Sequence, residues 1–386
     1  MDKYVKPAIV IVAYNRPKSL QRLLKSLRSA SYTNDNINLI ISIDFQDSDN
    51  HKEVVQIAEK FIWSFGYKKL ITHKENKGLR SHILSCGDLS LKYGSVIILE
   101  DDLIVSPSFY NYALAAVNFY KNEDKIAGIS LYSYEYEELG WYRFYPKNLG
   151  TDTFFIQWAS SWGQLWTNSQ WKQFKNWYKK GNSLKTINIP DSVRNWKKSW
   201  KKFFIAYLVD TDRYFVYPYN SYTTLIEEGG VHHFINSRQN SVNLNEGLSK
   251  KEFHFSCINI DNLKYDVFFQ PVKRKMFIKN MEKEIEIEFD FFGTKNKYNF
   301  RSDYICSVKK ASMILNSFSN SLIPYENNIT CNNNGKVLNI AKASDFSKSL
   351  NLYEQGEMLY NTRKIYAIKE MALILFYRVV FKIFKR

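Results

Sequence analysis

Three consecutive acids, Glu100, Asp101 and Asp102, follow the apolar run VIIL without a break. Adjacent carboxylates repel one another, so a covered cluster at a strand end calls for a cation. Hard oxygen ligands of this kind suit Mn2+ or Mg2+, ions that commonly bridge phosphate oxygens. In an extended chain Glu100 and Asp102 point to one side and Asp101 to the other. The plainer alternative is a solvated turn whose acids favour the positive end of the next helix. Other polar residues sit at matching places. Asp44 closes the run NLIISIDF, Asn15 and Arg16 follow AIVIVAY, and Lys77 and Arg80 flank Gly78 in HKENKGLRSH. A helix amino terminus at Gly78 suits a diphosphate. Together these residues spell out a nucleoside diphosphate held with a divalent metal.

Such a site needs strands that end at one edge, and the amino-terminal third of the chain supplies them. Residues 8–14 form a continuous apolar run, as a doubly covered parallel strand should, and Pro17 then opens a segment with Leu20, Leu23, Leu24 and Leu27 on one helical face. The unit repeats. A strand at 38–45 precedes a helical pattern of Val54, Ile57, Ala58, Phe61, Ile62 and Phe65, and a strand at 69–73 precedes a helix from Gly78 to Leu91. The strand at 95–99 runs into the three acids, after which Ser106 and Pro107 provide a cap and first-turn proline for a helix through Tyr120; KIAGISLY is a fifth strand. Alternating strands and helices predict an α/β fold with a mainly parallel sheet, which binds ligands beyond the carboxyl ends of its strands.

Composition narrows the classes further. The 386 residues allow two or three domains. A 45% hydrophobic and 24% charged content excludes wholesale disorder and a multispanning membrane protein. A net charge of +16 points to anionic partners: nucleic acid, anionic lipid or phosphorylated substrates. Cys86, Cys257, Cys306 and Cys331 are scattered without a CxxC pair, so reduced thiols in a cytosolic setting are expected rather than zinc or disulfides. AIVIVAY is too short for a signal segment, so no secretion is expected, and no uninterrupted apolar run is long enough to span a bilayer.

Aromatics are concentrated: seven of the nine tryptophans fall between Trp158 and Trp200, and residues 172–202 carry ten Lys or Arg with Asp191 as their one acid. The polar stretch INSRQNSVNLNEG reads as a linker closing a first domain over residues 1–245, with a nucleotide half at about 1–131 and an aromatic-rich half at about 132–245. Residues 246–345 mix alternating strands such as EIEIEFDFF with polar loops, as a mixed α/β accessory module. Residues 346–386 form a carboxyl-terminal helical segment. Its last part, 362–386, has seven basic residues, one acid and an otherwise apolar character. An interfacial helix on anionic lipid is the favoured reading, each basic residue near the surface adding roughly 1 kcal/mol. A helix docked on the protein's own core is the alternative.

The ordered set IVIVAYNRPKSLQRLLKSL, IISIDF, NKGLRSHILSCGDLSLKYGSVIILEDDLIVSPSFYNYALAAVNFY and IAGISLY resembles a bacterial GT-A sugar transferase of the family 2 kind. It is similar to the branch related to the animal N-acetylglucosaminyltransferase that initiates complex N-glycans. The likeness continues through DTFFIQWASSWGQLWTNSQW, KSW and YPYNSYTT to GGVHHF, covering roughly residues 8–234. It implies a GT-A nucleotide-diphospho-sugar transferase fold, Rossmann-like, with a smaller mixed carboxyl-terminal module. It also implies Mn2+ or Mg2+ as cofactor. By the same resemblance Asp102 is the direct metal ligand, Glu100 and Asp101 complete the acidic motif at ribose or the metal's waters, and Asp44 recognises base or ribose. Asn15, Arg16, Lys77 and Arg80 border the nucleotide and its diphosphate, and His232 or His233 approaches the metal or diphosphate. Trp158, Trp162 and Trp166 fall in the acceptor segment, where flat rings pack on sugar CH groups; core packing accounts for at least half of these indoles.

The chain departs from the family pattern where the related animal enzyme carries adjacent aspartates as general base, since WKKSWKKFF has lysines there. A carboxylate near the acceptor hydroxyl is still needed for inverting transfer. Asp191, Asp210, Asp212, Glu227 and Glu228 are available, and Glu227 or Glu228 is favoured because they precede GGVHH. The expected activity is metal-dependent glycosyl transfer to a glycan or lipid-linked acceptor in bacterial surface polysaccharide assembly, at the inner face of the cytoplasmic membrane. Rival readings are a nucleic-acid binder using the basic aromatic segment, without any recognised motif for it, and an inactive GT-A assembly module. A nucleotidyltransferase lacks its glycine-rich loop here, and GxGxxG and GxxxxGK[ST] are absent.

Overall fold

Uninterrupted β-branched and apolar residues make AIVIVA a strand buried on both faces, β1 (Ala8–Ala13). The computed structural model describes residues 5–32, 36–226, 240–247, 252–278 and 284–347, together with Phe376. Pro17 starts α1 (Pro17–Ser29), whose four predicted leucines are all buried, each worth about 1.5–3 kcal/mol against exposure. β2 (Leu39–Ile43) leads to α2 (Asp49–Lys60), capped by Ser48. This helix stops before Phe61, Ile62 and Phe65, which its apolar pattern had included. The Lys68 ammonium donates to the carbonyls of Ala58, Glu59 and Phe61 and closes the helix end. Ile62 is left exposed, while Trp63 and Phe65 pack on Tyr32.

β3 (Lys68–Thr72) is followed by two pieces, α3 (Gly78–Gly87) and α4 (Ser90–Tyr93), rather than one helix to Leu91. The break lies where Gly87 meets Trp171 so closely that a Cβ would stand 2.2 Å from the ring, and where Asp88 accepts from Trp171 Nε1 at 2.7 Å. Next come β4 (Ser95–Glu100) and a short β5 (Leu103–Val105). Because β5 extends the chain, α5 (Phe109–Tyr120) takes Ser108 rather than Ser106 at its cap. β6 (Ile126–Ser130), β7 (Thr153–Ile156), β8 (Gln164–Thr167), α6 (Asn168–Lys179), α7 (Asp191–Arg194), α8 (Lys201–Asp210), β9 (Tyr214–Pro218), β10 (Thr223–Leu225) and β11 (Lys264–Tyr265) complete the unit.

Nine of these strands form one sheet in the order β11-β7-β9-β6-β8-β4-β1-β2-β3. β1 to β4 are parallel, β8 runs antiparallel between β4 and β6, and β6 pairs parallel with β9. The α/β fold with a mainly parallel sheet therefore stands as expected. β5 and β10 pair separately and antiparallel.

The chain forms two compact units, residues 1–135 with 146–272 and residues 136–145 with 273–386. The boundary falls at 272 rather than near 245, because β11 pairs with β7 and Phe253 and Phe255 pack on Tyr112. In the second unit β12 (Arg274–Phe277), β13 (Glu284–Asp290), β14 (Tyr304–Ser307), β15 (Asn316–Phe318) and β16 (Leu338–Lys342) form a sheet ordered β12-β13-β14-β16-β15, with α9 (Glu326–Thr330) beside them in the sequence. The alternation of EIEIEFD ends midway: Glu284 and Glu286 are exposed, but Glu288 and Asp290 are buried. Lys295 Nζ meets Glu288 at 2.8 Å, and Lys309 Nζ lies 3.5 Å from Asp290, which also accepts from Ser307 and from the Lys295 amide. Removing one member of such a buried set strands its partner's charge. Asp290→Ala is expected to destabilise this unit by about 3–5 kcal/mol in urea unfolding; a loss below about 1 kcal/mol would show that the network adds nothing.

Candidate active site

Parallel pairing of β1 with β4 sets Val12 opposite Glu100, so the residues after each strand emerge at one edge of the sheet. β4 ends at Glu100 and the chain turns. The Asp101 amide donates to the Val12 carbonyl at 3.1 Å, and the Tyr14 amide donates to Asp101 Oδ2 at 3.3 Å. Arg16, in the cap position of α1, places Nη2 2.6 Å from Asp101 Oδ1 and Nη1 2.9 Å from Asp102 Oδ2. The expected alternation does not continue past the strand: Asp101 and Asp102 face the same guanidinium because they lie in a turn.

Burial pushes the Glu100 carboxyl up to about 8, with the Asp102 charge adding to the rise and Arg16 and Lys201 opposing it. Burial also lifts Asp101, which is 1% exposed, to about 6 against the pull of Arg16. For Arg16, burial works against the charge, yet Asp101 and Asp102 outweigh it and hold the guanidinium protonated.

Asp44, at the end of β2, is buried and accepts from the backbone amides of Lys77 at 2.8 Å and Gly78 at 3.0 Å. Gly78 has φ +73°, a conformation that favours glycine, at the first position of α3. Asp44 thus already engages the donors at the helix start that the sequence offered to a diphosphate. Asn15 donates through Nδ2 to Gln46 at 2.5 Å. The Lys77 side chain is exposed at the same edge. Arg80 donates to the Lys197 carbonyl at 2.6 Å and lies 4.8 Å from the Phe203 ring centre, so it clasps the Trp-rich segment.

Because β8 runs against β4, the turn before it, with Trp162 and Gly163, lies at the edge carrying the acids, and Trp166 opposite Val96 lies toward the other. Trp162 is half-buried, with its ring 4.7 Å from Tyr132 and 5.6 Å from Tyr134. Gly163 has φ +95°, and a Cβ there would stand 2.9 Å from Thr223. Trp158 and Trp166 have no exposed surface; Trp166 packs among Trp171, Trp200 and Phe204. These two expected acceptor residues are core, because each indole is enclosed by other rings, and Trp162 alone of the three offers part of its surface.

The candidate bases separate likewise. Asp212 pairs with Lys125 at 2.6 Å, just ahead of β6, and Asp210 accepts from Trp177 at 2.7 Å. Both lie at the strand-start edge, opposite the acids, since β6 and β9 run in the direction of β4. Asp191 is bound by Arg194 one turn later. Glu227, Glu228, His232 and His233 lie outside the described residues; the amide of Ile226, just before them in the chain, donates to the Asp102 carbonyl at 3.1 Å. Lys201 was read only as one charge in a basic run. It is 6% exposed, with its ammonium among Tyr134, Trp158, Trp162 and Trp196. The sequence signal for it was a lysine directly after Trp200 at the start of an apolar helix.

Residues 8–195 match the glycosyl transferase family 2 profile. The chain carries a family 2 glycosyltransferase domain. No curated protein sequence matches the chain. Among solved structures, S. aureus TarS in complex with UDP-GlcNAc is 14% identical, with a TM-score of 0.38 over 58% of this chain and 60% of that one. The mannosyltransferase PcManGT from Pyrobaculum calidifontis, in complex with GDP-Man and Mn2+, is 12% identical, with a TM-score of 0.32 over 50% and 51%. This chain thus spans about three fifths of the TarS portion it matches, and neither likeness is close enough to carry residue roles across.

The acids of this domain fit a divalent cation through one feature in particular. Among the described residues Asp102 Oδ1 is buried without a hydrogen-bond partner, while Oδ2 is held by Arg16. Among the described residues no three His, Cys, Asp or Glu side chains converge as a metal cage, so phosphate oxygens and water would supply most of an ion's shell, as Mg2+ and Mn2+ sites at phosphates allow. The raised Glu100 carboxyl has a consequence for stability. The folded state holds this proton more tightly than the unfolded state, so its contribution is present below about pH 4.5 and is lost as pH rises through about 8. Relative to the unaltered protein in chelator, Glu100→Gln should gain stability progressively between those limits in urea titrations; a pH-independent difference would contradict the burial argument.

Proposed function

We propose that this glycosyltransferase moves a sugar from a nucleoside-diphosphate sugar to a glycan or lipid-linked acceptor, with Mn2+ or Mg2+, in the assembly of a bacterial surface polysaccharide such as capsule, O-antigen or lipooligosaccharide. The observation that carries the donor reading is the Arg16, Asp101 and Asp102 junction, with its unpartnered Asp102 oxygen, at the carboxyl edge of a family 2 sheet. Asp102, with Asp101 beside it, would hold the ion. When bound, the ion supplies positive charge against that growing on the departing nucleoside diphosphate. Arg16 fixes the two carboxylates in place. Asn15 and Lys77 border the same edge, where the nucleotide would lie, and Arg80 ties its wall to the segment carrying the tryptophans. Trp162 offers a ring to an acceptor sugar. Glu227 or Glu228 is the proposed base taking the acceptor proton, because the chain reaches them one residue after the Ile226 bond to Asp102.

Thermal-shift screening against UDP-, GDP-, CMP- and dTDP-sugars with and without Mn2+ should show one metal-dependent stabilisation. UDP-GlcNAc and GDP-mannose come first because TarS and PcManGT bind them. Asp102→Ala should lose both that shift and turnover. Glu227→Gln or Glu228→Gln should keep the shift and lose at least about a hundredfold in turnover. Undiminished activity of the Asp102 variant would defeat the site assignment.

Among the described residues no helix is long and apolar enough to cross a membrane. The proposed location at the inner membrane face rests on residues 362–386, which lie outside the described residues except for Phe376 and carry seven basic side chains against one acid. Deleting them should release the protein from vesicles containing anionic lipid in a flotation assay. Equal binding by the truncated protein would remove the anchor.

A further inference from the structure

The start of α8 and the first turn of α3 gather positive charge without an opposing acid. The Arg80 guanidinium carbon lies 4.8 Å from the centre of the Phe203 ring, and Lys202 Nζ stands 5.2 Å from the same centre. One ring therefore carries two like charges. Arg80 also donates to the Lys197 carbonyl at 2.6 Å, which ties Lys197 and Lys198 to this junction, and both of those side chains are exposed. Among the described residues no carboxylate pairs with Arg80, Lys197, Lys198 or Lys202, and Arg80 Nε is buried without a hydrogen-bond partner. The first turn of α8 holds no acid, so the positive end of its dipole adds to the same field. Two like charges on one ring repel, and an anion beside them offsets that repulsion. Other cations of the segment are placed differently: Lys175 meets Asp88 at 3.1 Å, Arg194 pairs with Asp191, and Lys201 is buried among rings.

The junction lies at the edge of the sheet that carries the acids. α3 starts there, with the Gly78 amide on Asp44, and α8 starts there because it ends at Asp210 on the opposite edge. We propose that Arg80, Lys198 and Lys202 form an anion site for a phosphate group on the acceptor, apart from the acids that serve the donor. The proposal rests on the donor reading above only in giving the phosphate to the acceptor. Arg16 is the cation bonded to Asp101 and Asp102, and Asp44 takes the Lys77 and Gly78 amides, so the acids at the strand ends have their own partners. A neutral sugar hydroxyl gains little from several cations, whereas a phosphate gains from each of them.

The test measures binding of inorganic pyrophosphate by calorimetry at physiological ionic strength, without divalent metal. Lys202→Met should weaken it about threefold or more, as loss of one ion pair near a surface would, and Lys198→Met should act in the same direction. Lys202→Arg should restore it. Lys25→Met, which removes an exposed charge from α1, should leave it unchanged. Absence of pyrophosphate binding, or an equal effect of Lys25→Met, overturns the proposal. Two further arms separate the sources of phosphate. At saturating Mn2+, Lys202→Met should bind UDP and GDP as the unaltered protein does; a loss matching that for pyrophosphate assigns the cations to the donor and overturns the proposal. In flotation with phosphatidylglycerol vesicles, loss of membrane binding by Lys202→Met with pyrophosphate binding intact assigns them to a bilayer and overturns it likewise. If the unaltered protein binds neither UDP nor GDP, the donor reading fails, and the pyrophosphate comparison still decides whether these cations form an anion site.

Discussion

The site depends on one guanidinium. Arg16 stands between two adjacent carboxylates that would otherwise repel each other at the end of a buried strand, and it joins the chain after β1 to the chain after β4. A parallel sheet aligns its strand ends but does not fix the loops beyond them. Arg16 supplies that fixation, aided by the Tyr14 amide on Asp101 and the Asp101 amide on Val12. A half-buried cation paired with two acids is a poor source of net stability compared with an apolar set of equal volume. Their value is geometric: Asp102 is left with one oxygen held and the other without a partner among the described residues.

The reversed strand β8 explains how one aromatic segment serves two ends. Its leading turn exposes part of Trp162 beside Tyr132 and Tyr134, while its interior sends Trp166 into a cluster with Trp171, Trp200 and Phe204. The same cluster orders α6 and α8, and α8 then carries Lys201 at its first position. Core packing and the half-buried ring of Trp162 at the acidic edge thus come from the same segment. That is why tryptophan density alone could not separate acceptor surface from core.

Features that rest on local periodicity were legible in the sequence. The apolar runs of β1, β2 and β4, the leucine face of α1 and the acids after VIIL all follow from spacing along a few residues. What was hidden depends on partners distant in the chain. α2 ends early because Lys68 folds back on its carbonyls. Asp44 caps α3 from 33 residues away. The break after Gly87 follows from Trp171, far along the sequence. The first unit extends to 272 because two residues, Lys264 and Tyr265, join its sheet beside β7. Asp210 and Asp212 looked as available as any acid until the strand directions put them at the wrong edge.

The charge pattern of the crevice is the least visible from sequence and the most consequential for the proposed chemistry. Three consecutive acids suggest a strongly negative hole waiting for a metal. In the fold they are met by the fixed cation Arg16, and burial favours the protonated form of Glu100. The region is therefore less anionic than three acids in a row suggest. Such a site gains less from a cation alone, and a diphosphate alone would leave excess charge in a partly dehydrated crevice. A divalent ion and a diphosphate arriving together bring charges that largely cancel each other. On the donor reading, Arg16 thus favours the metal and nucleotide as a pair, and the acids act less as a trap for metal than as the fixed side of that exchange.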